Sequence, residues 1–229
     1  MDPLTILEWL AWALLTLFLL LEVVLRVAKR FHHIPAPALA TRLIDNPLRR
    51  RLVQSPERTA DRMRLAPGMT VVEIGPGKGS YTAAFARRIA PGTLYAVDIQ
   101  PKVVERLRER MKREGIANVD ARAEDARSMS LPDASADRVI LIACLAEIPD
   151  PVKALREAAR VLKPGGLVVT SELLPDPDYP LRSTERRWAA QAGLEQAEEY
   201  GNAFVYQLHF RKKNDTPDPG RAKKNSRYP

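Results

Sequence analysis

The sequence is poor in the residues that build disulfides and metal sites. Among 229 residues there are only three histidines and a single cysteine, Cys144. One cysteine cannot form an internal disulfide and leaves no cysteine-based zinc site. Two of the histidines are adjacent, His32 and His33, and the His-Glu-x-x-His spacing of zinc enzymes does not occur. The sequence therefore predicts no metal site. Its apolar content of 45% is enough for the core of one α/β domain.

The central part of the chain also has no excess of either charge. The net charge of +8 comes from the flanks, because residues 26–51 carry +6 and residues 211–229 carry +5, against −3 in residues 1–25. Residues 52–210 contain 22 basic and 22 acidic side chains. An enzyme that acts on nucleic acid usually carries its positive excess on the folded domain. The distribution therefore predicts that nucleic acid is not the partner.

One long apolar run is present, from Leu4 to Val27, interrupted by Glu8 and Glu22. About 22 mostly apolar residues at ~1.5 Å per residue would cross a hydrocarbon core of ~30 Å. We predict that residues 1–27 form a single membrane-spanning anchor. The alternatives are a helix that lies in the membrane plane and a cleaved signal peptide. The acidic start of the chain disfavours the signal peptide, which needs a basic one.

The basic residues all follow this apolar run. The positive-inside rule therefore predicts a single-pass membrane protein with its catalytic domain in the cytoplasm. Residues 28–54 are expected to form a basic connector, and residues 212–229 a disordered basic tail. Both flanks should be attracted to an anionic membrane surface.

Strand and helix patterns alternate over residues 55–211, which we predict to be one domain. The expected strands are 69–74, 93–98, 118–122, 137–144, 167–173, 195–200 and 203–210. The expected helices are 55–65, 79–90, 101–114, 151–162 and 183–192. The sequence thus predicts an α/β fold with a doubly wound, Rossmann-like sheet of seven strands, parallel except for a C-terminal antiparallel hairpin.

A glycine-rich loop follows the first expected strand in the segment VVEIGPGKGSYT, which runs from Val71 to Thr82. Glycines at alternate positions indicate a tight turn that something approaches closely. The second strand ends at Asp98, where a carboxylate can accept hydrogen bonds from a ribose diol. These features predict a nucleoside-containing cofactor.

The spacing of the loop is G-x-G-x-G after an acid, which resembles motif I of the class I S-adenosylmethionine-dependent methyltransferases. The resemblance covers residues 56–210 and continues in the segments LYAVDIQP, AEDARSMSLPD and LIACLAEIPDPVKALREAARVLKPGG and in the closing hairpin. In detail the chain is similar to quinone-biosynthesis and other small-molecule methyltransferases. The resemblance implies S-adenosylmethionine as the cofactor.

The resemblance also implies the cofactor-binding residues Glu73, Gly75, Gly77, Gly79, Asp98, Ile99, Asp125 and Ala126. The three glycines would let the backbone lie against the methionine part, and Glu73 would face its amino group. Asp98 would take the ribose hydroxyls, and Ile99 would pack on adenine. Asp125 would accept a hydrogen bond from the adenine amino group, and the neighbouring Ala126 N–H would donate one.

The acceptor is expected at the end of the fourth strand. Many relatives have His-His where this chain has Ala146 and Glu147, so Glu147 is the candidate catalytic residue, either binding a positive charge or taking a proton. Further candidates for the substrate pocket are Tyr81, Glu172, Tyr179 and Arg182.

We predict a membrane-anchored methyltransferase for a lipid or hydrophobic small molecule, such as a phospholipid head-group amine or a quinone. One alternative is an RNA methyltransferase, since the loop also resembles that of the ribosomal-RNA adenine dimethylases. The motif with which those enzymes bind the target amine, after the fourth strand, is replaced here by Ala146-Glu147-Ile148-Pro149. The other alternative is a cofactor-binding membrane protein without catalysis.

Overall fold

The computed structural model describes residues 55–174 and 178–213, with isolated positions between 2 and 24. The predicted connector 28–54 and residues 214–229 of the predicted tail lie outside these described residues, as does most of the predicted anchor. Within the described part, no helix combines the length and the apolar character needed to cross a membrane.

Helices and strands alternate through the described domain. The helices are α1 Pro56–Arg62, α2 Thr82–Ile89, α3 Pro101–Arg113, α4 Pro151–Val161 and α5 Arg182–Gln191. The strands are β1 Val71–Ile74, β2 Leu94–Asp98, β3 Val119–Ala123, β4 Ala136–Ile142, β5 Leu162–Leu173, β6 Leu194–Gly201 and β7 Val205–Lys212. A short 3-10 turn, Leu145–Glu147, follows β4.

The strands form one sheet in the order β3-β2-β1-β4-β5-β7-β6. Strands β1 to β5 are parallel, and β7 runs antiparallel to both β5 and β6. This arrangement confirms the predicted doubly wound sheet with its closing hairpin. The strand order reverses between β1 and β4, and in such sheets ligands bind beyond the carboxyl ends of the strands at that point.

Both faces of the sheet are covered, and this explains the nearly continuous apolar runs of its central strands. All four residues of β1 are buried. Helices α1, α2 and α3 pack on one face with Val71 and Ile140, whereas α4 and α5 pack on the other with Val72 and Leu141. Neighbouring residues of a strand point to opposite faces, so a strand between two helical layers must be apolar on both.

Several local signals in the sequence fold as expected. Ser55 caps α1, because its hydroxyl accepts from the Arg58 N–H at 3.3 Å, and Pro56 occupies the first turn. Gly115 follows α3 with a φ of +65°. Gly201 has a φ of +100° and ends β6 at the hairpin turn. These turns and caps rest on contacts within a few residues, so the sequence alone predicts them.

Most strand boundaries differ from the prediction, by one to five residues, and those of β5 and β4 are the most informative. Strand β5 begins at Leu162, which pairs with Ala136, and the register shifts before pairing resumes between Arg138 and Leu167. Strand β4 ends at Ile142, two residues before the predicted end at Cys144. Residue Ala143 adopts a φ of +50°, a left-handed conformation that costs a residue other than glycine roughly 1–2 kcal/mol. This bend turns Cys144 out of the strand and towards the glycine loop.

Candidate functional site

A cleft of about 180 Å³ lies where β1, β2 and β4 end. Its walls come from the ends of these strands and from the loops after β3 and β4. Six of the residues predicted from the sequence line it: Gly75, Asp98, Ile99, Asp125, Ala126 and Glu147. A larger hollow of about 450 Å³ lies beside the edge strand β3 and the end of α3, but it contains none of the predicted site residues. These six predicted residues therefore converge on the smaller cleft at the switch point of the sheet, whereas Glu73, Gly77 and Gly79 do not line it.

Glycine occupies the three positions of the loop for different structural reasons. At Gly75, with a φ of +68°, a Cβ atom would lie 2.8 Å from Cβ and 2.9 Å from Sγ of Cys144. At Gly79, with a φ of +74°, a Cβ atom would collide with the Leu107 side chain of α3. Gly77 has a φ of +53° and open space around its Cα. Two of the glycines thus allow close packing inside the protein, and Gly77 leaves its backbone accessible to a ligand.

Glu73 lies in β1 directly beneath this loop and is 3% exposed. Its Oε2 atom is buried and makes no hydrogen bond. Burial raises the pKa of Glu73 to about 7, and the Thr82 hydroxyl at the start of α2 acts in the opposite direction. An ammonium group brought next to Glu73 would therefore gain an ion pair with a carboxylate that has little else to stabilise its charge.

Asp98 ends β2 and is partly exposed in the cleft. Its Oδ1 atom accepts from the Gln100 N–H at 2.9 Å, and this is the one hydrogen bond of the carboxylate to the described residues. Burial raises the pKa of Asp98, while the bond from Gln100 opposes the shift. The Oδ2 atom of Asp98 can therefore accept a hydrogen bond from a ligand. The next side chain, Ile99, is 65% exposed at the cleft and offers an apolar surface to a planar ring.

The loop after β3 supplies the other end of the cleft. Both carboxylate oxygens of Asp125 accept from Arg127, with Nε at 3.0 Å from Oδ1 and Nη2 at 2.7 Å from Oδ2. This ion pair lowers the pKa of Asp125. Among the described residues nothing accepts from the Ala126 N–H. We did not predict Arg127 from the sequence, although an acid and a base two residues apart after a strand would have indicated the pair.

Glu147 is exposed in the 3-10 turn on the opposite wall. Below it the Cys144 thiol donates to the Ile74 carbonyl at 3.2 Å. Burial raises the pKa of Cys144 well above its usual value, and the negative charges of Glu172, Glu147, Asp98 and Glu73 add to the shift. A thiol in this state is a poor nucleophile.

The other four predicted pocket residues do not line this cleft. Tyr81 is buried against Phe85. The Tyr179 hydroxyl donates to the Ala203 carbonyl at 3.0 Å, and Arg182 forms an ion pair with Glu199 at 2.8 Å.

Glu172 is 2% exposed behind the cleft, near Glu185. Burial raises the pKa of Glu185 to about 7, and its Oε2 accepts from the Thr170 hydroxyl at 2.5 Å. Tyr179 and Arg182 tie the segment after β5 to the β6–β7 turn, so their role in substrate binding stays a prediction, as do those of Tyr81 and Glu172.

Comparison with known proteins agrees with this geometry. Residues 72–170 match the family model described as a methyltransferase domain. The chain is 36% identical over 110 residues to the ubiquinone/menaquinone biosynthesis C-methyltransferase of Hydrogenovibrio crunogenus, covering 47% of this chain and 43% of that protein. It is 29% identical over 137 residues to the phosphatidylethanolamine N-methyltransferase of Cereibacter sphaeroides, covering 59% and 66%. The chain spans less than half the length of the quinone-biosynthesis relatives it matches.

A solved structure shows the same fold. The S-adenosylmethionine-dependent methyltransferase of Aquifex aeolicus superposes with a TM-score of 0.70 at 23% identity, covering 77% of this chain and 98% of that one. The comparisons thus support a methyltransferase that uses S-adenosylmethionine as its cofactor. The predicted seven-stranded Rossmann-like sheet is confirmed and the comparisons support the predicted cofactor, whereas the predicted transmembrane helix is not found among the described residues.

Proposed function

We propose that the protein transfers a methyl group from S-adenosylmethionine to the amine of a membrane lipid head group. The observation that carries the proposal is the cleft at the switch point of the sheet. There Asp98 Oδ2 and the Ala126 N–H have no hydrogen-bond partner among the described residues, and Glu73, buried two residues before Gly75, has one carboxylate oxygen without a hydrogen bond. When bound, S-adenosylmethionine supplies a methyl group on a positively charged sulfur. The protein's own contribution is to position the acceptor in line with that group and to stabilise positive charge.

The charges of the cleft favour an amine over a quinone ring as the acceptor. Four acids line the cleft, Asp98, Glu124, Asp125 and Glu147, against one base, Arg127, and that base is paired with Asp125. An amine acceptor carries positive charge after methylation, which this lining stabilises. A quinol ring must first build up negative charge to become nucleophilic, and the same lining opposes it. The two curated relatives act, by their names, on these two classes of acceptor.

Glu147 is the residue that we assign to acceptor binding, because it is the exposed acid on the wall where the fourth strand ends. Glu147→Gln should raise KM for an amine lipid about threefold to fivefold, the effect of one exposed ion pair worth up to ~1 kcal/mol. The affinity for S-adenosylmethionine should stay within about twofold. Steady-state kinetics on vesicles measure the change, and Glu105→Gln, on the exposed surface of α3, is the matched control. An unchanged KM would reject this assignment.

The acceptor itself can be identified with radiolabelled S-adenosylmethionine and the full chain. Four acceptors are offered separately: phosphatidylethanolamine vesicles, phosphatidylcholine vesicles, a demethylated menaquinol in detergent, and total RNA. We expect label only in phosphatidylethanolamine, because phosphatidylcholine has the same lipid body but no amine lone pair. Label in the quinol or the RNA, or in none of the four, would overturn the proposed acceptor.

We further propose that residues 1–27 anchor the protein in the membrane, with the domain in the cytoplasm. The described positions between 5 and 24 are helical, and their large apolar side chains are 55–67% exposed: Trp9, Leu10, Trp12, Leu14, Leu17, Leu20 and Val24. The charge changes from −3 to +6 across this segment.

Deleting residues 1–27 should leave the affinity for S-adenosylmethionine unchanged, because the cleft belongs to the sheet. The deletion should lower turnover on bilayer lipid severalfold more than on lipid dispersed in detergent, because the anchor raises the local concentration of enzyme at the bilayer. Equal losses in the two assays, or release of the full chain from membranes by alkaline carbonate, would contradict the anchor.

A further inference from the structure

The Asp125–Arg127 pair is built into the adenine end of the cleft. Asp125 Oδ1 accepts from the Arg127 backbone N–H at 2.8 Å and from Nε at 3.0 Å. Asp125 Oδ2 accepts from Nη2 at 2.7 Å, with Nε at 3.1 Å. The guanidinium thus meets the carboxylate edge to edge, the geometry that fixes a carboxylate most firmly. Both side chains are about one third exposed and line the cleft.

The hydrogen bonds leave one acceptor position on this carboxylate. A carboxylate has about four lone-pair positions, two on each oxygen. Three N–H groups of Arg127 donate to this carboxylate: the backbone N–H to Oδ1, Nη2 to Oδ2, and Nε shared between the two oxygens, so three donors face four lone-pair positions. Beside it the Ala126 N–H has no acceptor among the described residues. The loop therefore presents one fixed acceptor next to one free donor.

This acceptor and donor match the hydrogen-bonding edge of adenine. Adenine offers an amino group that donates and a ring nitrogen beside it that accepts. Hypoxanthine, which has an oxo group and a ring N–H in these places, offers the opposite pattern. A site with fixed polar groups disfavours a mismatched ligand, because the bound ligand leaves those groups without a hydrogen-bond partner.

We propose that Arg127 is a positioning residue that holds Asp125 for the adenine amino group and so makes the cleft selective for adenine over hypoxanthine. This inference rests on the proposed function, because it takes S-adenosylmethionine as the ligand. The opposite reading is that Arg127 competes with the cofactor for Asp125 and must move away. The two readings predict opposite effects when the guanidinium is removed.

The test measures dissociation constants of S-adenosylhomocysteine and its hypoxanthine analogue, S-inosylhomocysteine, by calorimetry. The full chain should prefer the adenine ligand at least tenfold. Arg127→Met should reduce that preference about threefold to tenfold, and Arg127→Lys should restore part of it. The matched control is Arg122→Met, because Arg122 also pairs with the acid two residues before it, through one oxygen of Asp120 on β3, and does not line the cleft. A purely structural role would weaken both ligands equally and leave the ratio unchanged.

A second variant keeps the test informative should Arg127→Met fold poorly. Asp125→Asn should lower the preference for adenine, and adding Arg127→Met to it should lower the preference no further. An unchanged ratio in Arg127→Met, or tighter binding of the adenine ligand, would overturn this inference alone. Failure of the unaltered chain to bind S-adenosylhomocysteine would overturn the proposed function and this inference with it.

Discussion

Asp98→Ala is expected to weaken the binding of S-adenosylmethionine at least tenfold. The Asp98 carboxylate has its Oδ2 atom open to the cleft and one protein hydrogen bond, from Gln100, on Oδ1. A ribose diol would add two hydrogen bonds to a charged acceptor, each worth ~1.5–3 kcal/mol, and loss of even one corresponds to a factor of ten or more. Calorimetric titration of the purified protein measures this change.

Two controls separate this loss from a general loss of structure. Asp98→Asn keeps the shape and one acceptor oxygen but removes the charge, so its affinity should lie between those of the wild type and Asp98→Ala. Asp120→Ala removes an exposed carboxylate of the neighbouring strand outside the cleft and should leave the affinity unchanged. Unfolding temperatures should stay close to the wild-type value in all three, because Asp98 is partly exposed. An unaltered affinity in Asp98→Ala would remove the ribose from its assigned place.

Cofactor binding is expected to tighten as pH rises and to release a proton from Glu73. Burial raises the pKa of this carboxyl to about 7 in the free protein. A bound ammonium group would lower that pKa. At pH 6 the ligand must therefore displace the proton of Glu73, whereas at pH 7.5 Glu73 is already mostly ionised. The affinity should therefore increase by up to about tenfold between these values, since a tenfold change corresponds to each pH unit below the free pKa. The cofactor's own α-amino group stays mostly protonated in this range.

Glu73→Gln should abolish this pH dependence. Near pH 6 its affinity should approach that of the wild type, whereas at pH 7.5 it should be several times weaker. Calorimetry in buffers of different ionisation enthalpy measures the proton release directly. The matched control is Glu185→Gln, because Glu185 is also buried with a pKa of about 7 but belongs to α5 and not to the strand that leads into the glycine loop. This control should keep the pH-dependent affinity. A wild-type affinity that does not change with pH would show that no cation pairs with Glu73.

The stability of the free protein should change with pH in the opposite direction. A carboxyl whose pKa is raised by folding favours the folded state while it is protonated, so its contribution is present below the unfolded value of 4.5 and is lost as pH rises through about 7. Glu73 and Glu185 both act in this sense. Each single Gln variant should therefore remove part of the loss that denaturant unfolding shows between pH 5 and pH 8.

The sequence by itself determined the order of the elements and the end of the sheet at which the site lies. Alternating strand and helix patterns, the cap at Ser55 and the glycines at 115 and 201 depend on neighbours a few residues away. The placement of Asp98 follows from its position at a strand end, because parallel strands end at the same edge. The resemblance to the class I methyltransferases then indicated which cofactor these residues would bind.

Only the tertiary structure decided how the residues of the site behave. The pKa of Glu73 depends on the layers that bury β1, and the need for glycine at 75 depends on Cys144, which the bend at Ala143 brings beneath it. Tyr179 and Arg182 were predicted to line the substrate pocket from their position after β5, and only the structure shows that they contact Ala203 and Glu199 of the β6–β7 hairpin. Burial, strand neighbours and side-chain partners join residues far apart in the chain, and no pattern within one segment encodes them.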